Sequence, residues 1–348
     1  MFCSTLILSA LAIINYAQAA RLVGRVNPST SELTWPSTGV SFSFSGTSAS
    51  ISITHWGENS VSFSIDGGNW TVISNVTGTS ITIPSVTPGN HTVVLRKRSE
   101  ANQGSVFIGK VIANGTLGLD IVPPKRQIEF IGDSITVGYG LDGVLPCTNT
   151  AALEDNPKTY AALAADALGA DYSVVAWSGK GLTRNYWGGV ADDAVLMPEL
   201  YSRYGANDAD NSYTFPTSWD PSAIIINLGT NDFSYTATPP RAPLNATVFT
   251  NAMITFIQGI QKHYPDAWYF LMNSPMLSDG YPTAEDAQKT TQTSALKSVI
   301  TQLNSTKIQL VDWPSQGSDV GCDYHPNAAT HAAEGVVLAA AIKAALRW

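Results

Sequence analysis

The sequence predicts an all-β domain followed by an α/β domain, on the basis of two patterns and a proline pair between them. From about residue 21 to residue 122, apolar and polar residues alternate, which is typical of strands with one buried face. After Pro123 and Pro124, apolar runs alternate with helical segments, which is typical of a parallel sheet covered on both faces. The 348 residues are enough for both domains.

Residues 1–20 have the pattern of a secretory signal peptide. Their apolar stretch, 6–14, is too short to span a bilayer and is followed by the small-residue sequence Ala17-Gln18-Ala19. We interpret no later stretch as a membrane helix. We therefore expect a secreted, extracellular protein that has no membrane partner and is a monomer.

Composition and charge exclude some classes of partner. The formal net charge is −8, which disfavours nucleic acid and anionic membranes. The basic run 96–98 is short, and we interpret it as a solvated strand end rather than a phosphate site. Sequons that must lie on the surface if they are glycosylated occur at Asn69, Asn75, Asn90, Asn114, Asn245 and Asn304.

The first domain, residues 21–122, is predicted to contain many short strands. Segments such as 40–45 and 61–65 have apolar residues at every second position. Segment 66–69, Asp-Gly-Gly-Asn, has the composition of a turn. Many short strands at regular spacing predict a β-sandwich or jelly roll.

The second domain, residues 123–348, is predicted to contain five buried strands and four helices. The strands are predicted at 127–131, 172–176, 223–227, 268–272 and 308–312, and the helices at 159–168, 247–263, 284–303 and 328–346. In a parallel sheet of this kind, functional groups gather at the carboxyl ends of the strands.

Four short segments follow predicted strands and carry the residue types that acyl transfer requires. They are Gly132-Asp133-Ser134, Ser178-Gly179-Lys180-Gly181, Gly229-Thr230-Asn231-Asp232 and the loop 322–325. A serine hydroxyl needs a base to remove its proton, so Ser134 is the predicted nucleophile and His325 the predicted base. The predicted donors to an oxyanion are the backbone N–H groups of Ser134 and Gly179 and the side-chain amide of Asn231. Asp133 is predicted to cap the turn.

These four blocks, in this order, resemble the SGNH (GDSL) hydrolase superfamily over about residues 127–348. The resemblance implies a flavodoxin-like α/β fold with a parallel sheet. A narrower resemblance covers nearly the whole mature chain and includes 35–40, 95–100 and 128–140. Over these segments the chain resembles carbohydrate esterase family 2, in which a jelly-roll domain precedes the SGNH domain. That resemblance implies an acetyl xylan esterase-like enzyme that removes O-acetyl groups from acetylated xylan or glucomannan.

One position departs from the superfamily pattern. The triad aspartate of typical members lies three residues before the histidine, where this chain has Cys322. Asp323 lies only two residues before His325. We therefore expect a Ser134–His325 dyad, with the imidazole oriented by a backbone carbonyl. A triad that includes Asp323 is the alternative. Loss of an orienting carboxylate need not abolish activity.

Cys147 and Cys322 are the only cysteines outside the predicted signal peptide. An even number in an oxidising compartment predicts a disulfide bond, and the alternative is two buried free thiols. The bond would close a loop of about 175 residues and stabilise the fold by about 4–5 kcal/mol in the chain-entropy model. It would join the loop after Ser134 to the loop of His325.

Other residue types suggest a substrate platform and no cofactor. Aromatic residues that could stack on a sugar are Trp177, Tyr186, Trp187 and Trp313, of which Trp187 is the preferred candidate. The remaining histidines show no metal-ligand spacing, so we expect neither metal nor cofactor. Alternative functions are a carbohydrate-binding protein with a vestigial hydrolase domain, or an esterase acting on lipid or aryl esters.

Overall fold

The structure is a computed structural model that describes residues 20–119, 121–189, 194–234 and 241–348. The predicted signal peptide lies outside the described residues except for Ala20. An antiparallel sheet occupies the first part of the described chain and a parallel sheet the second. The predicted succession of an all-β domain and an α/β domain is thereby confirmed.

Eight strands in the described residues form the antiparallel sheet. They are β1 (Ala20–Val23), β2 (Glu32–Leu33), β3 (Gly39–Gly57), β4 (Val61–Ile65), β5 (Thr71–Ile73), β6 (Ser80–Ile83), β7 (Gly89–Lys97) and β8 (Gly104–Leu117). The long strand β3 pairs with β1, β6, β7 and β8, with register shifts near Gly46 and Ile51. The predicted alternation buries Phe42 and Phe44 on one face of this strand.

The second sheet has five parallel strands in the order β10-β9-β11-β12-β13. They are β9 (Gln127–Gly132), β10 (Asp171–Ala176), β11 (Ala223–Asn227), β12 (Trp268–Met272) and β13 (Ile308–Val311). All five predicted strands are present. The chain passes from β9 to β10 on one side and then to β11 on the other, so β9 lies at the point where the strand order reverses.

Helices cover both faces of the parallel sheet. They are α1 (Ser134–Val137), α2 (Tyr160–Ala167), α3 (Met197–Leu200), α4 (Thr230–Phe233), α5 (Ala246–Gln261), α6 (Gln288–Leu303) and α7 (Ala328–Leu346). Helices α2 and α7 share one apolar cluster with the sheet, and α5 and α6 share the other. The four long helices were predicted, although α6 begins at Gln288 rather than at residue 284.

Helix α7 is the last and longest of the described helices, in a part of the chain for which no membrane helix was predicted. The helical stretch Cys322–Leu346 is long and apolar enough to cross a membrane by length and composition alone. However, Leu338 and Ile342 are fully buried against the sheet, and the same stripe carries His331 and Glu334. A single buried stripe of this spacing is typical of a helix that covers a sheet.

A buried ion pair and shared apolar packing join the two domains. The guanidinium of Arg25 donates to the carboxylate of Glu129 at 2.7 Å, and both side chains are almost completely buried. The guanidinium also lies 3.8 Å from the ring centroid of Tyr213. Trp35 packs into the apolar cluster of the α/β domain and donates its indole N–H to the carbonyl of Tyr204 at 2.8 Å.

The basic run Arg96-Lys97-Arg98 is buried in this interface, so its interpretation as a solvated strand end was wrong. Arg96 lies 4.0 Å above the ring of Tyr172, and Arg98 pairs with Asp155 at 3.0 Å. Burial lowers the pKa of Lys97 to about 7. The charges are tolerated there because partners from both domains satisfy them.

Candidate active site

Ser134 is the first residue of α1, directly after the central strand β9. The carboxylate of Asp133 caps this short helix by accepting the N–H of Ile135 at 3.1 Å, as predicted. Gly132 has no room for a side chain, because a Cβ there would lie 1.9 Å from the hydroxyl of Thr136. Ser134 itself is 6% exposed. The turn therefore presents one hydroxyl at the carboxyl edge of the sheet.

His325 lies beside this hydroxyl. Its Nε2 atom is 2.8 Å from Oγ of Ser134, and its Nδ1 atom is 3.1 Å from the carbonyl oxygen of Asp323. A carbonyl can only accept, so Nδ1 carries the proton and Nε2 is free to accept one from the hydroxyl. The two residues are 191 positions apart in the chain, and the fold brings them into direct contact.

The carboxylate of Asp323 points away from the imidazole. It accepts the hydroxyl of Tyr139 at 3.0 Å and the backbone N–H of Asn149 at 3.1 Å. Asp323 has a φ of 51°, in the left-handed region, and this conformation turns its carbonyl toward His325. Tyr139 in turn packs against the imidazole, with ring centroids 4.3 Å apart.

A disulfide bond between Cys147 and Cys322 is present in the structure. It lies next to the base loop, where the N–H of Cys322 donates to the carbonyl of Gly140 at 3.0 Å and the N–H of Asp323 donates to the carbonyl of Cys147 at 3.2 Å. The bond therefore links the loop after Ser134 to the loop of His325.

Burial of the imidazole lowers the pKa of His325 to about 4. Hydrogen bonds to backbone groups of Asp323 and Cys322 act in the opposite direction and are weaker. The pKa is therefore below the near-neutral value that the sequence suggested. A neutral imidazole at ordinary pH is the form that can accept the serine proton.

Two predicted oxyanion donors have unused N–H groups. Within the described residues, the backbone N–H groups of Ser134 and Gly179 make no hydrogen bond. Gly179 has a φ of +80°, which L-residues with a side chain rarely adopt. A backbone amide in this conformation can face a ligand without a Cβ atom in the way.

Asn231, the third predicted donor, lies in α4 and is 5% exposed. Its side-chain amide donates to the carbonyl of Lys180 at 2.9 Å and lies 3.4 Å from the carboxylate of Asp133. Arg241 donates to the backbone carbonyl of Asn231 at 2.8 Å. The first of these hydrogen bonds ties Asn231 to the loop that carries Gly179.

Two buried carboxylates support this edge of the sheet. Burial and the charge of Asp232 raise the pKa of Asp133 to about 7. Asp232 accepts the N–H groups of Leu182 and Thr183 at 2.9 and 2.7 Å. Asp232 thus fixes the far end of the loop after β10, a role that its sequence motif alone does not indicate.

The aromatic candidates for substrate stacking separate into exposed and buried residues. Trp313 is 1% exposed and packs edge-to-face on Tyr160 in the core, so its place in a stacking platform was wrong. Trp187 is partly exposed, with the guanidinium of Arg241 6.0 Å from its ring centroid. Tyr186 is 55% exposed, and its backbone N–H donates to the carbonyl of Gly179 at 2.7 Å.

No group of three or more potential metal ligands occurs among the residues that the structure describes. His91 forms an ion pair with Asp66 at 2.7 Å, far along the chain from the other site residues. His331 is completely buried and accepts the N–H of Tyr160 at 3.3 Å. Both histidines have structural partners.

Family models match both halves of the chain. The model described as Carbohydrate esterase 2 N-terminal matches residues 22–121, and the GDSL-like Lipase/Acylhydrolase family model matches residues 130–333. A crystal structure of a carbohydrate esterase family 2 enzyme plus carbohydrate binding domain, from Corynascus thermopiles (Myceliophthora fergusii), is 63% identical. The match covers 94% of this chain and 100% of that chain, with a TM-score of 0.92. The chain belongs to carbohydrate esterase family 2.

Two further relatives are less similar to the chain. A family two carbohydrate esterase from Clostridium thermocellum, solved in complex with cellohexaose, is 32% identical, with a TM-score of 0.83 and coverage of 94% of this chain and 99% of that one. An acetylxylan esterase / glucomannan deacetylase from Cellvibrio japonicus (strain Ueda107) is 34% identical over 68% of this chain and 64% of that protein. The chain spans between 30% and 66% of the length of the curated relatives it matches.

Two buried acidic residues that support the site in this family 2 chain were missed at the sequence level, Glu100 in the first domain and Glu154 in the second. Glu100 and Glu154 are buried, and neither lies near a catalytic motif in the sequence. The only sequence signal of Glu100 is its place after the basic run 96–98, which at a strand end would ordinarily be solvated, and Glu154 is not part of that run.

Proposed function

We propose that this protein is a secreted serine esterase that removes O-acetyl groups from plant cell-wall polysaccharides through an acyl-enzyme at Ser134. The observation that carries the proposal is the 2.8 Å contact between Oγ of Ser134 and Nε2 of His325. Nucleophile and base within hydrogen-bond reach, with the base oriented by a third group, are the signature of nucleophilic catalysis. Here the third group is the carbonyl of Asp323.

In acylation, Nε2 of His325 takes the hydroxyl proton as Oγ of Ser134 attacks the acetyl carbonyl carbon. The carbonyl electrons move to oxygen and form an oxyanion. When this intermediate collapses, the bond to the sugar oxygen breaks, and the imidazolium returns its proton to that oxygen. The deacetylated sugar leaves, and the acetyl group remains on Ser134.

In deacylation, water takes the place of the hydroxyl. His325 removes a proton from water as it attacks the acetyl-serine, and a second tetrahedral intermediate forms. Its collapse breaks the bond to Oγ, and the proton returns to Ser134. Acetate is released and no cofactor is consumed.

The N–H groups of Ser134 and Gly179 are the backbone donors to both oxyanions in this proposal, with the amide of Asn231 as the third. Loss of one such donor typically lowers the rate by about 10²–10³. The 2.9 Å hydrogen bond from Asn231 to Lys180 places the amide next to the loop of Gly179 and uses one of its two N–H protons. The second proton, on the side of the long 3.4 Å contact with Asp133, is the one assigned to the oxyanion.

The substrate class is proposed from the relatives and from the exposed aromatic side chains. The Cellvibrio relative acts, by its name, on acetylated xylan and glucomannan, and the Clostridium relative binds cellohexaose. Tyr186 beside Gly179, with neighbouring Trp187, offers ring surface for a sugar chain. We also propose that the boundary between the domains lies near residue 122 and that the first domain is a jelly roll. The protein is further proposed to be a secreted monomer.

Exposure of all six sequon asparagines supports the secretory route. Each of them lies on the surface, and Asn245 and Asn304 flank helices. An exposed asparagine is accessible for glycosylation.

The proposal is tested by mass spectrometry of acetylated xylan and glucomannan oligosaccharides before and after treatment. Wild type should shift product masses down by whole acetyl groups, and Ser134→Ala should leave them unchanged. Ser298→Ala, which removes an exposed hydroxyl on α6, is the matched control and should behave as wild type. Unchanged masses with wild type, or equal deacetylation by Ser134→Ala, would overturn the proposal.

A carbohydrate-binding function is the second candidate, and the cellohexaose complex of the Clostridium relative favours it. The Ser134→Ala variant distinguishes binding from catalysis, because it should still bind polysaccharide but release no acetate. Retention on polysaccharide with no acetate release by wild type would make binding the principal function.

A further inference from the structure

Glu100 belongs to the first domain but contacts the active-site edge of the second. It directly precedes the 3₁₀ turn Ala101–Gln103 and is 1% exposed. Its Oε2 atom accepts the backbone N–H of Ser178 at 2.8 Å. Ser178 directly precedes Gly179, so a carboxylate of the β domain fixes the peptide adjacent to a proposed oxyanion donor.

A second contact from the same turn holds the same loop. The side-chain carbonyl of Asn102 accepts the indole N–H of Trp177 at 2.7 Å. At the other end of the loop, Asp232 binds the N–H groups of Leu182 and Thr183. The segment that includes Gly179 is therefore held at one end by the first domain and at the other by α4.

Glu100 is also connected to the base loop. The carboxylate of Glu154 accepts the N–H of Glu100 at 2.6 Å and the side-chain amide of Asn149 at 2.6 Å. The backbone N–H of Asn149 donates to the carboxylate of Asp323 at 3.1 Å. A continuous series of buried or partly buried hydrogen bonds thus runs from the oxyanion loop to the loop of His325.

The charges around Glu100 are few and are all buried. Glu154 is its acidic neighbour, and Lys97 supplies the adjacent positive charge while donating to the carbonyl of Glu100 at 2.8 Å. Burial raises the pKa of both Glu100 and Glu154 above the ordinary value. A carboxamide oxygen can accept an N–H as a carboxyl oxygen does, so glutamine at position 100 can retain the bond to Ser178.

We propose that Glu100 is a positioning residue for ester hydrolysis, which holds the amide of Ser178 so that the N–H of Gly179 faces the oxyanion. This inference rests on the serine esterase function proposed above. It makes the first domain a part of the catalytic unit. Glu100 touches no reacting atom and acts through the loop.

Kinetics of three variants test the proposal on p-nitrophenyl acetate. Glu100→Ala should lower kcat by about 10- to 100-fold, less than the loss of a donor itself, with KM little changed. Glu100→Gln should recover most of the lost kcat. Ser60→Ala is the matched control, because it removes a buried inter-domain hydrogen bond, from Ser60 to the carbonyl of Ala151 at 2.6 Å, that does not reach the loop. It should retain the wild-type kcat.

Amide hydrogen exchange gives a readout that does not depend on turnover. In Glu100→Ala, exchange should accelerate in the peptide 177–182, and Ser60→Ala should leave that peptide protected. Wild-type kcat and wild-type protection in Glu100→Ala would overturn the proposal, and so would equal losses of kcat in all three variants. If wild type hydrolyses no ester, the esterase function fails, while exchange still decides whether Glu100 holds the loop.

Discussion

Asp323 orients His325 through its backbone carbonyl, whose oxygen lies 3.1 Å from Nδ1. The carboxylate of the same residue is turned to Tyr139 and Asn149. The imidazole is therefore held in the required tautomer by a neutral acceptor. This contact supplies no negative charge to stabilise the imidazolium.

Replacing the carboxylate should therefore have a small effect on catalysis. Asp323→Asn should lower kcat by less than about 10-fold, whereas loss of a true triad carboxylate can cost about 10⁴. The amide oxygen can still accept the hydroxyl of Tyr139, so the loop should keep its conformation. Steady-state kinetics on p-nitrophenyl acetate provide the measurement.

His325→Ala is the reference for complete loss of the base and should fall to the background rate. A loss in Asp323→Asn that approaches this reference, with an unchanged melting temperature, would identify Asp323 as a triad member after all.

The pH dependence should follow the lowered pKa of His325. Nε2 must be unprotonated to accept the serine proton, so activity is lost as pH falls through the pKa of the folded enzyme. The acid limb of kcat/KM should therefore have its midpoint at a pH of about 4, well below the ordinary histidine pKa of 6.5. A midpoint at or above 6.5, measured in buffers of constant ionic strength, would contradict the buried neutral imidazole.

The same pKa shift affects stability with a defined sign. The unfolded chain takes up a proton near the ordinary pKa of 6.5, and the folded chain does so only near 4. The contribution of His325 to the free energy of unfolding is therefore fully present above pH 6.5 and is lost as pH falls toward 4.

Removing the disulfide bond should weaken both the fold and the site. Cys147→Ser/Cys322→Ser opens a loop with a sequence separation of 175 residues and should lower the free energy of unfolding by at most about 4–5 kcal/mol. The kcat should also fall, because Cys322 lies three residues before His325. Denaturant unfolding and kinetics check these effects. Two free thiols in the denatured, unreduced mature protein would show that the bond is absent.

The two domains should unfold as one unit. Arg25→Met leaves Glu129 buried without its positive partner and should lower the free energy of unfolding by about 3–5 kcal/mol. Calorimetry should show a single transition in wild type and a single, lower transition in the variant. Two transitions in wild type, with only one of them moved by the substitution, would mean that the domains are independent.

Local sequence patterns predicted most of the fold. The strand at 223–227 has the same ends in the structure as in the prediction. A central strand of a parallel sheet is buried on both faces, so its sequence is an uninterrupted apolar run. The start of α6 was predicted less well, since Thr283 and Asp286 have the spacing of a helix cap but form a turn that ends before the helix begins at Gln288.

The main site residues could be predicted because their motifs follow strands, whereas their supports could not. The contact between Glu100 and Ser178 spans two domains and 78 positions, and no periodicity signals it. The burial of Trp313 also depends on tertiary packing, because Tyr160 and α7 cover it. The charged run at 96–98 was misinterpreted for the same reason: Arg98 pairs with Asp155 and Arg96 lies over Tyr172, both in the other domain.

The proposed mechanism depends on attack of Ser134, activated by His325, on the ester carbonyl carbon. The most direct measurement is the initial rate of p-nitrophenyl acetate hydrolysis by wild type and by Ser134→Ala at equal concentration and equal folded fraction. Wild type should show saturable turnover, and Ser134→Ala should show only the uncatalysed rate. Equal rates for the two proteins would contradict this mechanism.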